Sequence, residues 1–257
     1  MTQEAKATFR IWRGGPQGAF AEYATPVSEG MVVLDAVLDI QARQANDLAV
    51  RWNCKAGRCG SCSAEINGMP KLMCMTRLSD LPLDKPVQVE PMRTFPPVKD
   101  LVTDVSWNYA AKRRVKPFKP RPPDAPDGTW RMDQRDVDRA MEFRTCIECF
   151  LCQDTCHVLR DHAKFDGFIG PRVLIHSAAL EMHPLDVEDR REDLRRHQGL
   201  GYCNITKCCT RVCPEGIKIT DNAIIPLKER VADDAYDPLR LAARWIGQRF
   251  KEDTKRE

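Results

Sequence analysis

Apolar and polar residues alternate along KATFRIWRG and FAEYATPV, the period-two pattern of half-buried strands. GMVVLDAVLDIQARQ then places Val33, Val37 and Ile40, with Leu34 and Leu38, at helical spacing and predicts an amphipathic helix. In SAEINGMPKLMC the pair Asn67-Gly68 separates two short runs and predicts a hairpin, and PVQVEPM reads as a last strand. VKDLVTDVSWNYAAKRR reads as helical, and after Asp133 helix periodicity dominates: RDVDRAMEFRTC, GPRVLIHSAALEM with Pro171 in its first turn, and DNAIIPLKERVAD. The final segment, DPLRLAARWIGQRFKE, sets Leu239, Ala242, Ala243, Ile246 and Phe250 on one face. That face suits the core or a partner. A membrane-surface helix is the alternative, because Arg240, Arg244 and Arg249 flank Trp245.

The pattern predicts an α+β chain, with a small mixed sheet first and an all-α part second. Its 257 residues are sized for two domains. We place the first at 1–105 and the second at 106–257. A Pro-rich basic linker is expected at about 112–128, since seven of the 18 prolines fall between Pro96 and Pro126. Lys112, Arg113, Arg114, Lys116, Lys119 and Arg121 make this stretch either a solvated linker or a basic patch for an acidic partner or anionic lipid. The net charge is only +3, and no aromatic interleaving suits nucleic acid. No apolar stretch reaches the roughly 18 residues of a membrane span, and the N-terminus lacks a signal-peptide apolar region.

Cysteine usage changes the picture. The chain has 12 cysteines, none in 1–53, 75–145 or 214–257. Clusters of this kind in a long chain point to metal sites rather than a disulfide scaffold. Cys54-x4-Cys59-x2-Cys62, with Cys74 distal, has the plant-type [2Fe–2S] spacing. A glycine-bearing loop supplies three thiolates and a strand the fourth, while Gly57 and Gly60 let the backbone aim N–H groups at sulfur. Structural zinc fits less well, since it favours close cysteine pairs.

Cys146-x2-Cys149-x2-Cys152-x3-Cys156 is the bacterial two-cluster run, whose fourth cysteine ligates the other cluster. The partner run reads Cys203-x2-Thr206-x2-Cys209-x3-Cys213-Pro214, with Thr206 where a cysteine is expected. Crossover assigns Cys146, Cys149, Cys152 and Cys213 to a [4Fe–4S] cluster. Cys156, Cys203 and Cys209 remain for the other, and three thiolates suit [3Fe–4S]. Cys208 is off register by one residue. Its side chain is expected to point away as a free buried thiol, and the alternative makes it a fourth ligand and that cluster [4Fe–4S]. The spacing does not fit a Rieske centre. Met73 and Met75 are expected to pack, and Trp52 and Trp107 to lie in a core or interface. Three clusters in one chain read as a wire, so no catalytic residue is assigned. No G-x-G-x-x-G or phosphate loop is present.

RWNCKAGRCGSCSAEINGMPKLMC, RTFPPVKDLVTDVSWNY, ECFLCQDTC, FIGP and CTRVCPEGIKIT together resemble the iron–sulfur subunit of succinate dehydrogenase and fumarate reductase. The resemblance spans essentially the whole chain. It implies a β-grasp ferredoxin domain docked on an FAD-bearing flavoprotein subunit, and a helical domain resting on membrane anchor subunits, often haem-bearing. It implies passage of electrons from succinate through FAD and the three clusters to a quinone, with fumarate reduction as the reverse. The complex would be peripheral on the cytoplasmic face of a bacterial membrane. Two departures stand out: His157 follows Cys156 where many members have Pro, with no Trp in HVLRDHAKFD, and Asn204 follows Cys203 where many have His. The family's ubiquinone-pocket residues therefore do not carry over. His157, Asn204 and Thr206 are the candidate quinone contacts, His162 lies near them, and menaquinone is the expected quinone. Two further classes compete, a free two-domain ferredoxin and the iron–sulfur subunit of a heterodisulfide- or glycolate-type oxidoreductase.

Overall fold

The computed structural model describes residues 6–238 and 241–242. Strand β1 (Lys6–Arg13) pairs antiparallel with β2 (Ala19–Pro26) along its whole length. Helix α1 (Val33–Arg43) buries Val33, Leu34, Val37 and Ile40 of its predicted stripe together with Ala36, while Leu38 is half-buried. The Asn67-Gly68 turn, with both residues at positive φ, joins β3 (Ser63–Ile66) to β4 (Met69–Leu72). β5 (Val87–Glu90) runs parallel to β1 and antiparallel to β3, giving the sheet order β2-β1-β5-β3-β4. This mixed sheet with one helix packed on it is a β-grasp fold.

One expected helix is corrected. Only its second half is helical, α2 (Ser106–Arg113), while its first half is the hairpin β6 (Pro97–Lys99) and β7 (Val102–Thr103). The cause is tertiary. Asp100 takes φ 50° at the hairpin turn and buries its carboxylate. There it accepts the N–H of Gly14 at 2.6 Å and of Ala49 at 2.7 Å, and pairs with Arg13 at 3.2 Å.

The second part is helical: α3 (Gln134–Arg144), α4 (Leu151–Asp154), α5 (His157–Arg160), α6 (Gly170–Glu181), α7 (Arg191–Arg196), α8 (Cys208–Arg211) and α9 (Ile225–Tyr236). A π-helical turn, Ile219–Ile224, leads into α9 just before Pro226, whose missing N–H cannot continue an α-helical ladder. The expected C-terminal helix falls mostly outside the described residues.

The basic stretch is not a free linker, and half of its six cations are paired within the chain. Arg190, fully buried, donates to the carbonyls of Lys116 (3.0 Å) and Pro117 (2.7 Å) and to Asp186 (2.8 Å). Lys112 pairs with Glu148, Lys116 with Glu188 and Arg121 with Asp124. Those three find acidic partners in this chain's own second part, while Arg113, Arg114 and Lys119 stay exposed.

Two hydrophobic cores result. The first takes in Phe9, Ile11, Leu34, Ile40 and Val89, but also Cys149, Phe150 and Leu151 from the second part. The second is built on Leu159, Phe168, Leu174, Ile219 and Leu227. Trp107 packs against both.

Between them lies a buried polar network. Thr94 donates its N–H to Asp154 Oδ1 (3.0 Å) and its hydroxyl to the Asp154 carbonyl (2.8 Å). Glu65, fully buried, pairs with Arg93 and Arg160, each at 3.3 Å. Glu65 Oε1 and Asp154 Oδ2 are both buried without a hydrogen-bond partner, and the two carboxyls are neighbours. A single shared proton would satisfy both oxygens.

Burial, then repulsion from Asp154, pushes Glu65 up to about 7, against the pull of Arg160 and Arg93. Its raised value makes the folded state the better proton binder. The resulting stability is complete below 4.5, the ordinary value, and is lost as pH rises through about 7. The melting temperature of the intact, cluster-loaded protein should therefore decline over that interval, and decline less in Glu65→Gln. Parallel pH profiles for the two proteins would contradict the shared proton.

Candidate functional site

The first thiol group is made by a loop bent through three left-handed residues, Lys55 (φ 55°), Gly57 (67°) and Gly60 (67°). This bending turns N–H groups onto sulfur. Ala56 and Arg58 each donate to Cys54 Sγ at 3.3 Å, and Cys54 donates to Cys59 Sγ at 3.5 Å. Cys74 arrives from the short 3-10 turn after β4 and hydrogen-bonds the Cys62 side chain. Burial pushes the Cys62 thiol up to about 12. Burial acts on Cys59 in the same sense, but hydrogen bonds from Ser61 and Cys54 overcome it and hold that thiol near 6. Cys54 is exposed, beside exposed Trp52 and Met75. Lys55 sits 4.8 Å over the Trp52 ring, and Met75 covers Gly57. Met73, by contrast, is buried.

The second group interleaves two runs. Cys146, Cys149, Cys152 and Cys213 line one cavity, with Ile147, Phe150, Ile175 and Ile219. Burial, and then the neighbouring thiols Cys149, Cys146 and Cys213, push Cys152 far up, while the Arg172 cation opposes them. Four thiols around a largely apolar cavity supply the donor set of a multi-iron cluster.

In the third group, Cys156 lies within electrostatic reach of Cys208 and Cys203, and burial pushes it up to about 11. Cys209 is the chain neighbour of Cys208, and its Sγ lies 3.5 Å from Thr220 Oγ1. Cys208 departs from expectation. It is half-buried, its Sγ stands 3.3 Å from Thr206 Oγ1, and His157 lies near it. The off-register thiol therefore turns into the group rather than away from it. Of the candidate quinone contacts, His157 is half-buried, and Asn204 and Thr206 are exposed. The structure brings His157 and Thr206 together around Cys208. His162 is exposed, its ring 6.3 Å from that of His157.

Residues 8–109 match the family model described as a 2Fe-2S iron-sulfur cluster binding domain, and 142–217 that described as a 4Fe-4S dicluster domain. The chain is 36% identical over 202 residues to the fumarate reductase iron-sulfur subunit of Mycobacterium tuberculosis, covering 77% of this chain and 80% of that protein. It is 31% identical over 215 residues to the succinate dehydrogenase iron-sulfur subunit of Bacillus subtilis, covering 77% and 81%. This chain belongs to the family of succinate dehydrogenase and fumarate reductase iron–sulfur subunits. A chain of the Mycobacterium smegmatis Sdh1 complex in the apo form superposes with TM-score 0.88 at 58% identity, over 91% of this chain and 99% of that one.

The subunit is an electron-transfer component with a [2Fe–2S] domain and a two-cluster domain, and several residues that shape it carried no signal in the sequence. Gln153, fully buried, donates to Asn108 (3.0 Å) and to the Ile169 carbonyl (3.2 Å) and accepts the N–H of Arg172 (3.2 Å). It ties α4, between Cys152 and Cys156, to α2 and α6. Arg172 pairs with Glu148, which also holds Lys112. Two polypeptide loops meet at Gly60: a Cβ there would lie 2.7 Å from Cys149 Cα, and Ser63 donates its hydroxyl to the Cys149 carbonyl at 2.8 Å. The CGSC glycine was the available clue to this approach.

Gly60→Ala should push the first loop off the second, at a cost of about 1–3 kcal/mol in the assembled protein. Thermal unfolding checks this, with Gly15→Ala, where a Cβ meets nothing, as the neutral control. The EPR line shape from coupling between the two reduced clusters should change in the Gly60 variant alone.

Proposed function

We propose that this subunit relays electrons between the flavin of a partner flavoprotein and a membrane quinone in a succinate dehydrogenase. In this reading [2Fe–2S] is held by Cys54, Cys59, Cys62 and Cys74. [4Fe–4S] is held by Cys146, Cys149, Cys152 and Cys213, and [3Fe–4S] by Cys156, Cys203 and Cys209. We also propose the division into 1–105 and 106–257, in which Cys149–Leu151 of the second part pack into the first core. The clusters supply one-electron redox centres when bound. The observation that carries the reading is the one cavity lined by Cys213 with Cys146, Cys149 and Cys152, while Cys156 lies within electrostatic reach of Cys203. With Gly60 against Cys149, the three sites follow one another through the molecule.

The chain's residues hold, orient and insulate. Cys62, Cys74, Cys149, Cys152, Cys156 and Cys209 are buried, which keeps water from these sulfurs. Backbone N–H groups at Cys54 and the Arg172 cation beside Cys152 offset negative charge. The exposed end at Cys54, Trp52 and Met75 suits the flavoprotein. Exposed Tyr202, Asn204, Ile205, Thr206 and Lys207 suit the anchor, which would carry any haem. Among the described residues no helix is long and apolar enough to cross a membrane. We assign membrane contact to the anchor subunits and place the complex on the cytoplasmic face of a bacterial membrane.

Menaquinone is the proposed quinone, with His157, Asn204 and Thr206 as its contacts. The relative named as a fumarate reductase, 36% identical, favours the reverse direction as a second reading. Assays of the purified complex with succinate and with fumarate, each against naphthoquinones and ubiquinone, decide direction and quinone together. Turnover with ubiquinone alone would exclude the menaquinone assignment.

Cys213→Ala is expected to remove the [4Fe–4S] EPR signal of the reduced complex and to stop succinate-driven quinone reduction. The [2Fe–2S] signal and dye reduction at the flavin should survive. Retention of the [4Fe–4S] signal would refute the crossover. Thr206→Cys should convert the third centre toward [4Fe–4S] and lower its potential, as read by redox titration.

A further inference from the structure

Cys208 is the thiol that the three ligand sets leave over. A spare cysteine ordinarily fills apolar space. The second core takes in Cys146, Cys152, Cys156, Cys203, Cys209 and Cys213, but not Cys208. Its neighbours are instead the Thr206 hydroxyl at 3.3 Å, His157, Cys209 and Cys156.

The backbone shows what that position means. Glu148 and Phe150 are left-handed in the first run, and Ile205 and Lys207 in the second, each pair at the same offsets from its leading cysteine. A short helix follows in both, at Leu151 and at Cys208. Thr206 therefore stands where Cys149 stands, and Cys208 where Leu151 stands. Leu151 is clamped in the first core, 1% exposed. Cys208 has no such clamp, and its sulfur turns back onto the residue at the vacant ligand position.

We propose that Cys208 is a reserve fourth ligand of the third cluster, through which the site takes up an additional ferrous ion. This rests on the three-thiolate reading above. Cys208 Sγ gives its proton to solvent and forms one S–Fe bond to the incoming Fe²⁺. A [3Fe–4S]⁰ core plus Fe²⁺ is a [4Fe–4S]²⁺ core, so no electron moves in the uptake step. Removal of one electron by a one-electron oxidant and release of Fe²⁺ leaves [3Fe–4S]⁺ and returns the thiolate for protonation. Cys208 thereby makes the iron content of the quinone-proximal centre responsive to ferrous iron and oxidant.

The test uses the anaerobically purified complex. It is reduced with dithionite, incubated with a ferrous salt, desalted and brought back to the potential at which [3Fe–4S] is oxidised. The wild type is expected to lose its [3Fe–4S] EPR signal and gain one iron per chain, and ferricyanide should restore the signal. Cys208→Ala should keep its signal and gain no iron, with its [2Fe–2S] and [4Fe–4S] signals intact as proof of folding. Cys208→Ser, whose oxygen is a weaker ligand, should fall between and serves if the alanine variant fails to assemble. A wild-type signal that persists through ferrous treatment overturns the proposal and leaves the three-iron reading standing. Equal iron uptake by wild type and Cys208→Ala also overturns it. A third centre without any [3Fe–4S] signal in either protein overturns the three-iron reading and the proposal together.

Discussion

Neither of the two thiol groups in the helical part is drawn from one cysteine run. Cys213 lines one cavity with Cys146, Cys149 and Cys152, and Cys156 lies within electrostatic reach of Cys203, so each run sends a cysteine into the other's group. The intervening segment, 157–202, must fold tightly enough to return the chain to its starting point. That constraint explains the buried hydrogen bonding of Gln153 to α2 and α6, and a second core into which six of the cysteines pack. It also explains why the Pro-rich stretch is clamped by Arg190 rather than left free.

The joint between the two parts obeys the same demand for fixed separation. Gly60 touches the backbone of Cys149, and Ser63 binds its carbonyl. Thr94 holds Asp154, and Glu65 reaches Arg160. Buried charges are expensive, and such a network is a weak source of stability unless nearly every atom is partnered. Its value here is geometric: polar groups tolerate one relative placement, whereas apolar surfaces slide.

Much was legible along the chain because the signals are local. Strand alternation, the α1 stripe and the Asn67-Gly68 turn depend on residues a few positions apart, and the elements formed where these signals lie. Cysteine spacing is local in the same sense, since a cluster fixes how many residues fit between thiolates. VKDLVTD misled because its decisive contacts, Asp100 with Gly14 and Ala49, are remote in sequence. Glu148, Gln153 and Arg172 sit in ordinary helical or loop context, so nothing local distinguishes them from surface residues.

The sequence by itself determined the fold class, through its periodicity, and the family, through the segments that resemble it, and it sorted the cysteines into separate runs. The tertiary structure decided where the basic stretch finds its counter-charges, how the first loop meets the second, and which way Cys208 faces. Register counting gives a side chain's position along the chain. Its direction depends on what the neighbouring elements leave open. Leu151 and Cys208 occupy equivalent positions in a repeated backbone, yet a sheet covers one while the other turns onto Thr206.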